Sequence, residues 1–196
     1  MAATPSTMLP LGSPLPAFDL PNTNPQLDAE RVSDKDLIDA PTVVMVICNH
    51  CPFVIHVRDQ LAAIGRDYAG KVNILAISAN DPTTHPADAP DRMREEADRA
   101  GYTFPYLFDE RQELAKALAA ACTPDFYVFD RDRKLVYRGQ LDDSRPSNGL
   151  PVTGVDLRRA IDAAIRGDDP IADQRPSIGC NIKWTPGREP AYFTRA

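Results

Sequence analysis

Apolar positions along this chain follow two different periods. Residues 42–47 (TVVMVI) and 72–79 (VNILAISA) are continuous and rich in β-branched side chains, the pattern of strands buried on both faces. Val54, Val57, Leu61, Ile64 and Tyr68 recur instead at a 3-4-3-4 spacing that closes at Gly70, which predicts an amphipathic helix opened by Pro52. A helix over about 91–100 stops at Gly101, and residues 104–108 read as a short strand. Asp109-x-x-Gln112 reads as a capping pair for a helix running to about Ala120, with Leu114, Ala117, Leu118 and Ala121 as its apolar face. Residues 125–130 and 134–139 flank the polar Arg131-Asp132-Arg133 and predict an antiparallel hairpin, which makes the sheet mixed. Thr153-x-x-Asp156 is a second capping pair, and Leu157, Ile161 and Ile165 give a last helix its buried stripe before Gly167.

This succession describes an α/β fold with a mixed central sheet flanked by helices. Six of the 19 prolines lie in residues 1–25 and four more in 170–196, so both ends are expected to be extended arms. The expected organisation is a flexible N-terminal arm over 1–14, one domain over 15–169 and a tail over 170–196 that packs on the domain. With 196 residues the core needs no staples, so the four cysteines call for another explanation.

Charge and hydropathy narrow the classes further. The chain carries 22 Lys and Arg against 28 Asp and Glu, a net charge of −6 with no basic cluster, which argues against nucleic acid as a partner. The longest apolar run, residues 42–48, is far short of the roughly 20 residues that span a bilayer, so no membrane partner is expected. The first 25 residues hold no Lys or Arg and no continuous apolar segment, and the expected location is the cytoplasm.

Candidate chemistry concentrates in Cys48-Asn49-His50-Cys51-Pro52, a CxxC set between a buried strand and a helix, which in such a chain reads as redox-active. Pro52 suits the first helical position and places Cys51 beside the positive end of the helix dipole, where a thiolate is favoured. His50 between the two cysteines can stabilise a thiolate when protonated. The competing readings are a soft-metal site for Cu(I) or Zn built from Cys48, His50, Cys51 and Cys122, and a pair of inert buried thiols. His56 is expected to be structural or exposed, and His85 supports no role.

The motifs CNHCPF (48–53), ISAND (77–81), CTPDFYVFD (122–130), YRGQLDDSRP (137–146) and SIGCNIKW (177–184) resemble the thioredoxin superfamily, most closely its peroxiredoxin-like, AhpC/TSA-related redoxin group. The resemblance spans about residues 15–185 and implies a thioredoxin-like three-layer fold and a thiol-disulfide oxidoreductase or peroxiredoxin-like antioxidant activity. Two departures stand out. Counting from Ile47 puts Cys51 at the position of the thioredoxin nucleophile, with Val54 where a second cysteine is usual. The peroxiredoxin signature Pro-x-x-x-Thr-x-x-Cys has its proline at Pro41 but Met45 in place of threonine, so peroxidase activity is not carried by that motif.

The expected attacking thiol is Cys51 with Cys48 as its nearest disulfide partner; a helix starting one turn earlier would reverse the two roles. The resemblance also implies a cis proline at Pro124, with the Thr123 backbone docking an extended substrate segment. Cys122 is then either a third redox thiol or a small buried apolar residue, and Cys180 either resolves an oxidised Cys51 or sits in a tail anchored by Ile182 and Trp184. No cofactor is expected. The expected partners are a disulfide or peroxide substrate and a thiol reductant such as a thioredoxin or glutathione system, served by a monomer or homodimer. Non-catalytic docking at the same groove is the remaining alternative. Arg138, Asp142, Asp143 and Arg145 read as a solvated turn.

Overall fold

The computed structural model describes residues 3–193. Its centre is a five-stranded sheet in which the two continuous apolar runs lie side by side. β4 (Thr42–Val46) pairs in parallel with β5 (Asn73–Ser78), and β5 in parallel with β6 (Tyr106–Phe108). On its other edge β4 pairs antiparallel with β8 (Asp125–Phe129), which turns through the expected hairpin into β9 (Leu135–Gly139). The order is β6-β5-β4-β8-β9, a mixed sheet.

Both faces of β4 are buried, and the period of two divides its side chains between two cores. Val43, Met45 and Ile47 face a core shared with α1 (Pro52–Asp67), α2 (Pro90–Ala100) and α4 (Val155–Arg166). Val44 and Val46 face a second core that holds α3 (Glu113–Ala117), Ile182 and Trp184. Helix α1 places Val54, Val57, Leu61 and Ile64 inward, as their spacing requires. Gly65 in its interior is needed for contact: a Cβ there would lie 2.7 Å from a Phe104 ring carbon and 2.9 Å from Thr103 Oγ1. No helix among the described residues is long and apolar enough to cross a membrane.

Neither expected capping box forms. At α3 the N-cap position falls on Gln112, and it is Asp109 that caps, accepting the Glu113 and Ala115 amides at 3.1 and 2.8 Å. Gln112 instead donates to the carbonyls of Ala79 and Lys183 and accepts the Thr185 amide, tying the tail to the sheet. At α4 the N-cap is Gly154 in the left-handed region, and Asp142 accepts the Thr153 and Gly154 amides at 2.7 and 2.6 Å. Asp156 accepts from Gln140. The charged cluster after the hairpin is therefore no solvated turn as a whole. Asp142 is buried, and Arg145 donates to Gln140, Asp142 and Ser144.

Short strands complete the fold. β2 (Asp19–Pro21) and β3 (Arg31–Ser33) form a two-stranded ribbon. A separate three-stranded sheet has the order β1-β10-β7, joining β1 (Thr4–Pro5) near the start of the chain, β10 (Ile178–Asn181) in the tail and β7 (Cys122–Thr123) immediately before Pro124.

Candidate functional site

The CNHC loop joins the end of β4 to the start of α1, and the helix begins at Pro52 with Cys51 as its N-cap residue. The cap residue is extended (φ −70°, ψ 122°) and makes no side-chain cap bond, so the helix start is left to a sulfur. Cys51 Sγ donates to the Thr123 carbonyl at 3.1 Å, and Cys48 Sγ lies 3.4 Å from Thr123 Oγ1. One residue thus faces both sulfurs, its backbone toward Cys51 and its side chain toward Cys48. The Thr123–Pro124 peptide bond is cis.

The thiols of this loop differ sharply in charge preference. The Cys180 thiol first, then the Cys48 thiol, favour the ionised form of Cys51 and hold its pKa well below the usual thiol range; burial opposes them, and Thr123 and the Val54 amide add to them. Cys48 is pushed up by its contact with Cys51 and by burial, and Cys180 is pushed up by Cys51 and by burial. A sulfur at a helix start with two further thiols bonded to it is the arrangement of an attacking thiol beside its disulfide partners.

Cys180 reaches this position because β10 pairs antiparallel with β7 and sets Cys180 opposite Thr123. Cys122, opposite Asn181, points the other way, as alternation along a strand demands; its sulfur lies 3.7 Å from the Pro124 carbonyl. Burial beside Asp125 pushes its pKa well up. The four cysteines are all buried and unbridged; Cys48 and Cys180 both bond Cys51, whereas the Cys122 thiol bonds the Pro124 carbonyl.

His50 is held by a residue that sequence reasoning missed. Asp88, fully buried, accepts the Asn49 amide at 2.8 Å, the His50 amide at 3.3 Å, His50 Nδ1 at 2.6 Å and Asn80 Nδ2 at 2.8 Å. This carboxylate fixes the loop and raises the His50 pKa. Burial pushes the Asp88 carboxyl up, but the bonds from His50 and Asn80 outweigh it, and its pKa is lowered. The only hint in the sequence is an aspartate inside the proline-bounded segment 86–90, which becomes meaningful once the single 3₁₀ turn Pro86–Asp88 brings it to the CNHC loop. The His50 ring also stacks on His85, with centroids 5.2 Å apart. It borders a cleft of about 400 Å³ lined by Asn49, Ala87, Arg92, Glu95 and Arg99. His56 binds Ser144 Oγ at 2.7 Å, a structural role.

Ligand atoms of Cys48, His50 and Asp88 lie within 4.8 Å of one another. The carboxylate, however, already accepts four N–H donors, and Cys48 is held as the protonated thiol, so this trio is filled as a hydrogen-bonded cradle.

With the geometry in view, the family follows. The AhpC/TSA family model matches residues 11–138, and the chain belongs to that family. It is similar to an uncharacterized conserved protein from Geobacillus kaustophilus, at 53% identity and a TM-score of 0.90, covering 95% of this chain and 98% of that one. It is similar as well to a hypothetical protein from Sinorhizobium meliloti 1021, at 45% identity and a TM-score of 0.89, covering 94% and 100%. A secreted Mycobacterium tuberculosis disulfide oxidoreductase shares the fold at 13% identity and a TM-score of 0.57, covering 74% and 95%. No curated protein matches. The fold is thioredoxin-like, and the family is a redox family.

Proposed function

We propose that this chain is a thiol oxidoreductase in which Cys51 is the reacting sulfur and a neighbouring cysteine closes a disulfide with it. The observation that carries this reading is the convergence of Cys48 and Cys180 on a Cys51 that caps a helix and prefers the thiolate. Against a disulfide, the Cys51 thiolate attacks one sulfur and expels the other as a thiolate. Against a hydroperoxide it takes one oxygen, giving a sulfenic acid and releasing water or an alcohol; a second cysteine then displaces the hydroxyl as water and forms the disulfide. An external dithiol or two thiols return the pair to the reduced state.

His50, oriented by Asp88, supplies positive charge near the loop when protonated. Cys48, buried under Thr123, is a supporting thiol whose bond to Thr123 fixes the loop against β7. Replacing Cys51 by serine is expected to abolish reaction with an aromatic disulfide reagent and with peroxide, while Cys122→Ser leaves both; retention of either reaction by Cys51→Ser refutes the assignment. The competing soft-metal reading draws on the closeness of Cys48, His50 and Asp88. Stoichiometric Zn or Cu in purified protein, lost in Cys48→Ser, would favour it.

A further inference from the structure

The edge of β7 beside the cis proline is already paired. Where an outside strand would dock on Thr123, the chain lays down its own β10, with Cys180 opposite Thr123 and Asn181 opposite Cys122. The fit is close enough to specify a residue: a Cβ on Gly179 would run into the Thr123 carbonyl and come within 3.2 Å of the Pro124 nitrogen.

This strand is fastened along its whole length. On its outer edge β1 pairs with it, Thr4 opposite Gly179 and Pro5 opposite Ile178. Before it, Ser177 exchanges bonds with Ser6, accepting at 2.9 Å and donating at 3.1 Å, and its hydroxyl donates to the Gly139 carbonyl at 2.7 Å. After it, the Ile182 amide reaches Ala121 O at 3.1 Å, the Lys183 amide reaches Asn80 Oδ1 at 2.8 Å, and Ile182 and Trp184 are buried in the second core. The cavity between Phe53, Pro124 and Ile178 measures only about 20 Å³, so no groove for a peptide side chain flanks the paired edge.

Building on the redox reading above, we propose that β10 is a built-in partner strand: Cys180 is the disulfide partner of Cys51, and the reductant that reopens the pair is a low-molecular-weight thiol, because a protein dithiol has no strand edge on which to dock. A small thiolate attacks the Cys180 sulfur, forms a mixed disulfide there and releases Cys51 as a thiolate. A second small thiol then attacks the mixed disulfide, freeing Cys180 and leaving the reductant as its own disulfide. Two reductant thiols are oxidised and one protein disulfide is reduced. Attack at Cys180 releases Cys51 at the start of α1, where the helix end favours a thiolate.

The test oxidises the full-length protein with hydrogen peroxide, maps its disulfide, and follows reduction by dithiothreitol and by a thioredoxin at matched dithiol concentration. The expected disulfide is Cys51–Cys180. Thioredoxin is expected to reduce the wild type no faster than dithiothreitol does. In Gly179→Ala, where β10 is forced off Thr123, the thioredoxin rate is expected to rise about tenfold relative to the dithiothreitol rate. Reduction of the wild type by thioredoxin about tenfold faster than by dithiothreitol would overturn the proposal, and this comparison decides the matter even if Gly179→Ala folds poorly. A Cys48–Cys51 disulfide would overturn the proposal and leave the redox reading standing; absence of any Cys51 disulfide would overturn both.

Discussion

Cys180 stands directly across a strand pair from Thr123, the residue whose carbonyl accepts the Cys51 thiol. A residue near the end of the chain is thereby made part of the site. It exerts the largest single influence lowering the Cys51 pKa. Removing that thiol has a defined consequence. In Cys180→Ser the apparent pKa of Cys51 is expected to rise, because the Cys180 thiol is the largest influence holding it down. Thiolate absorbance followed against pH, with Cys48 and Cys122 replaced by serine in both proteins, measures the change.

Asp88 is expected to matter for stability as well as for His50. In Asp88→Ala the Asn49 amide, the His50 amide and Asn80 lose their acceptor inside the protein. An unsatisfied buried donor costs about 1–3 kcal/mol, and a loss of about 3 kcal/mol lowers Tm by about 6–12 °C in a domain of this size. The milder Asp88→Asn removes the charge that raises the His50 pKa, so His50 is expected to titrate at lower pH in a proton NMR titration.

The His50–Asp88 pair also predicts a pH window. A histidine whose folded pKa is raised adds stability at pH below its unfolded value and loses that contribution as pH rises through the folded value. Asp88, lowered in the fold, adds stability above the usual carboxylate range and loses it as pH falls through its depressed pKa. Their joint contribution is therefore greatest in the interval between the two unfolded values, above that of the carboxylate and below that of the imidazole. Denaturant midpoints for wild type and Asp88→Asn should differ most in weakly acidic buffer and by less at alkaline pH, where only the Asp88 bonds to the loop amides and Asn80 remain; a difference that grows with pH would contradict the pairing.

Asp125, next to the cis proline, behaves in the opposite way. Burial pushes its carboxyl up to about 7 despite the hydroxyls of Ser6 and Tyr127, which donate to it at 2.6 and 2.8 Å. Because the folded pKa exceeds the unfolded one, folding is disfavoured progressively as pH rises from about 4 to about 7. Asp125→Asn removes the buried charge and is expected to raise Tm by several degrees at pH 8 while having little or the opposite effect at pH 4. Equal shifts at both pH values would show that the carboxylate is not the origin.

How far the chain could be read beforehand depended on whether a feature was periodic. The 3-4-3-4 spacing of Val54 to Tyr68 and the continuous run before Cys48 located α1 and β4, and with them the loop that carries the cysteines. The order of the motifs led to the cis peptide at Pro124. β7 and β10 span two and four residues, too few for any periodicity, so the pairing that brings Cys180 to Cys51 had no local signal. Asp88 was hidden for a different reason: its donors lie 38 or 39 residues away along the chain for the loop, and only the fold brings them together. The capping pairs were half legible: Asp109 does bond the first amides of α3, but Gln112 turns to Ala79, and at α4 Asp142, far from the expected Thr153 and Asp156, takes the free amides.

The account rests on Cys51 as the reacting thiol and Cys180 as its partner. The most direct measurement exposes fully reduced protein to stoichiometric hydrogen peroxide, quenches with an alkylating reagent over time, and maps each cysteine by mass spectrometry. Cys51 is expected to be lost first, followed by a Cys51–Cys180 disulfide, with Cys122 unmodified throughout. Loss of Cys51 no faster than loss of Cys122 would contradict the account.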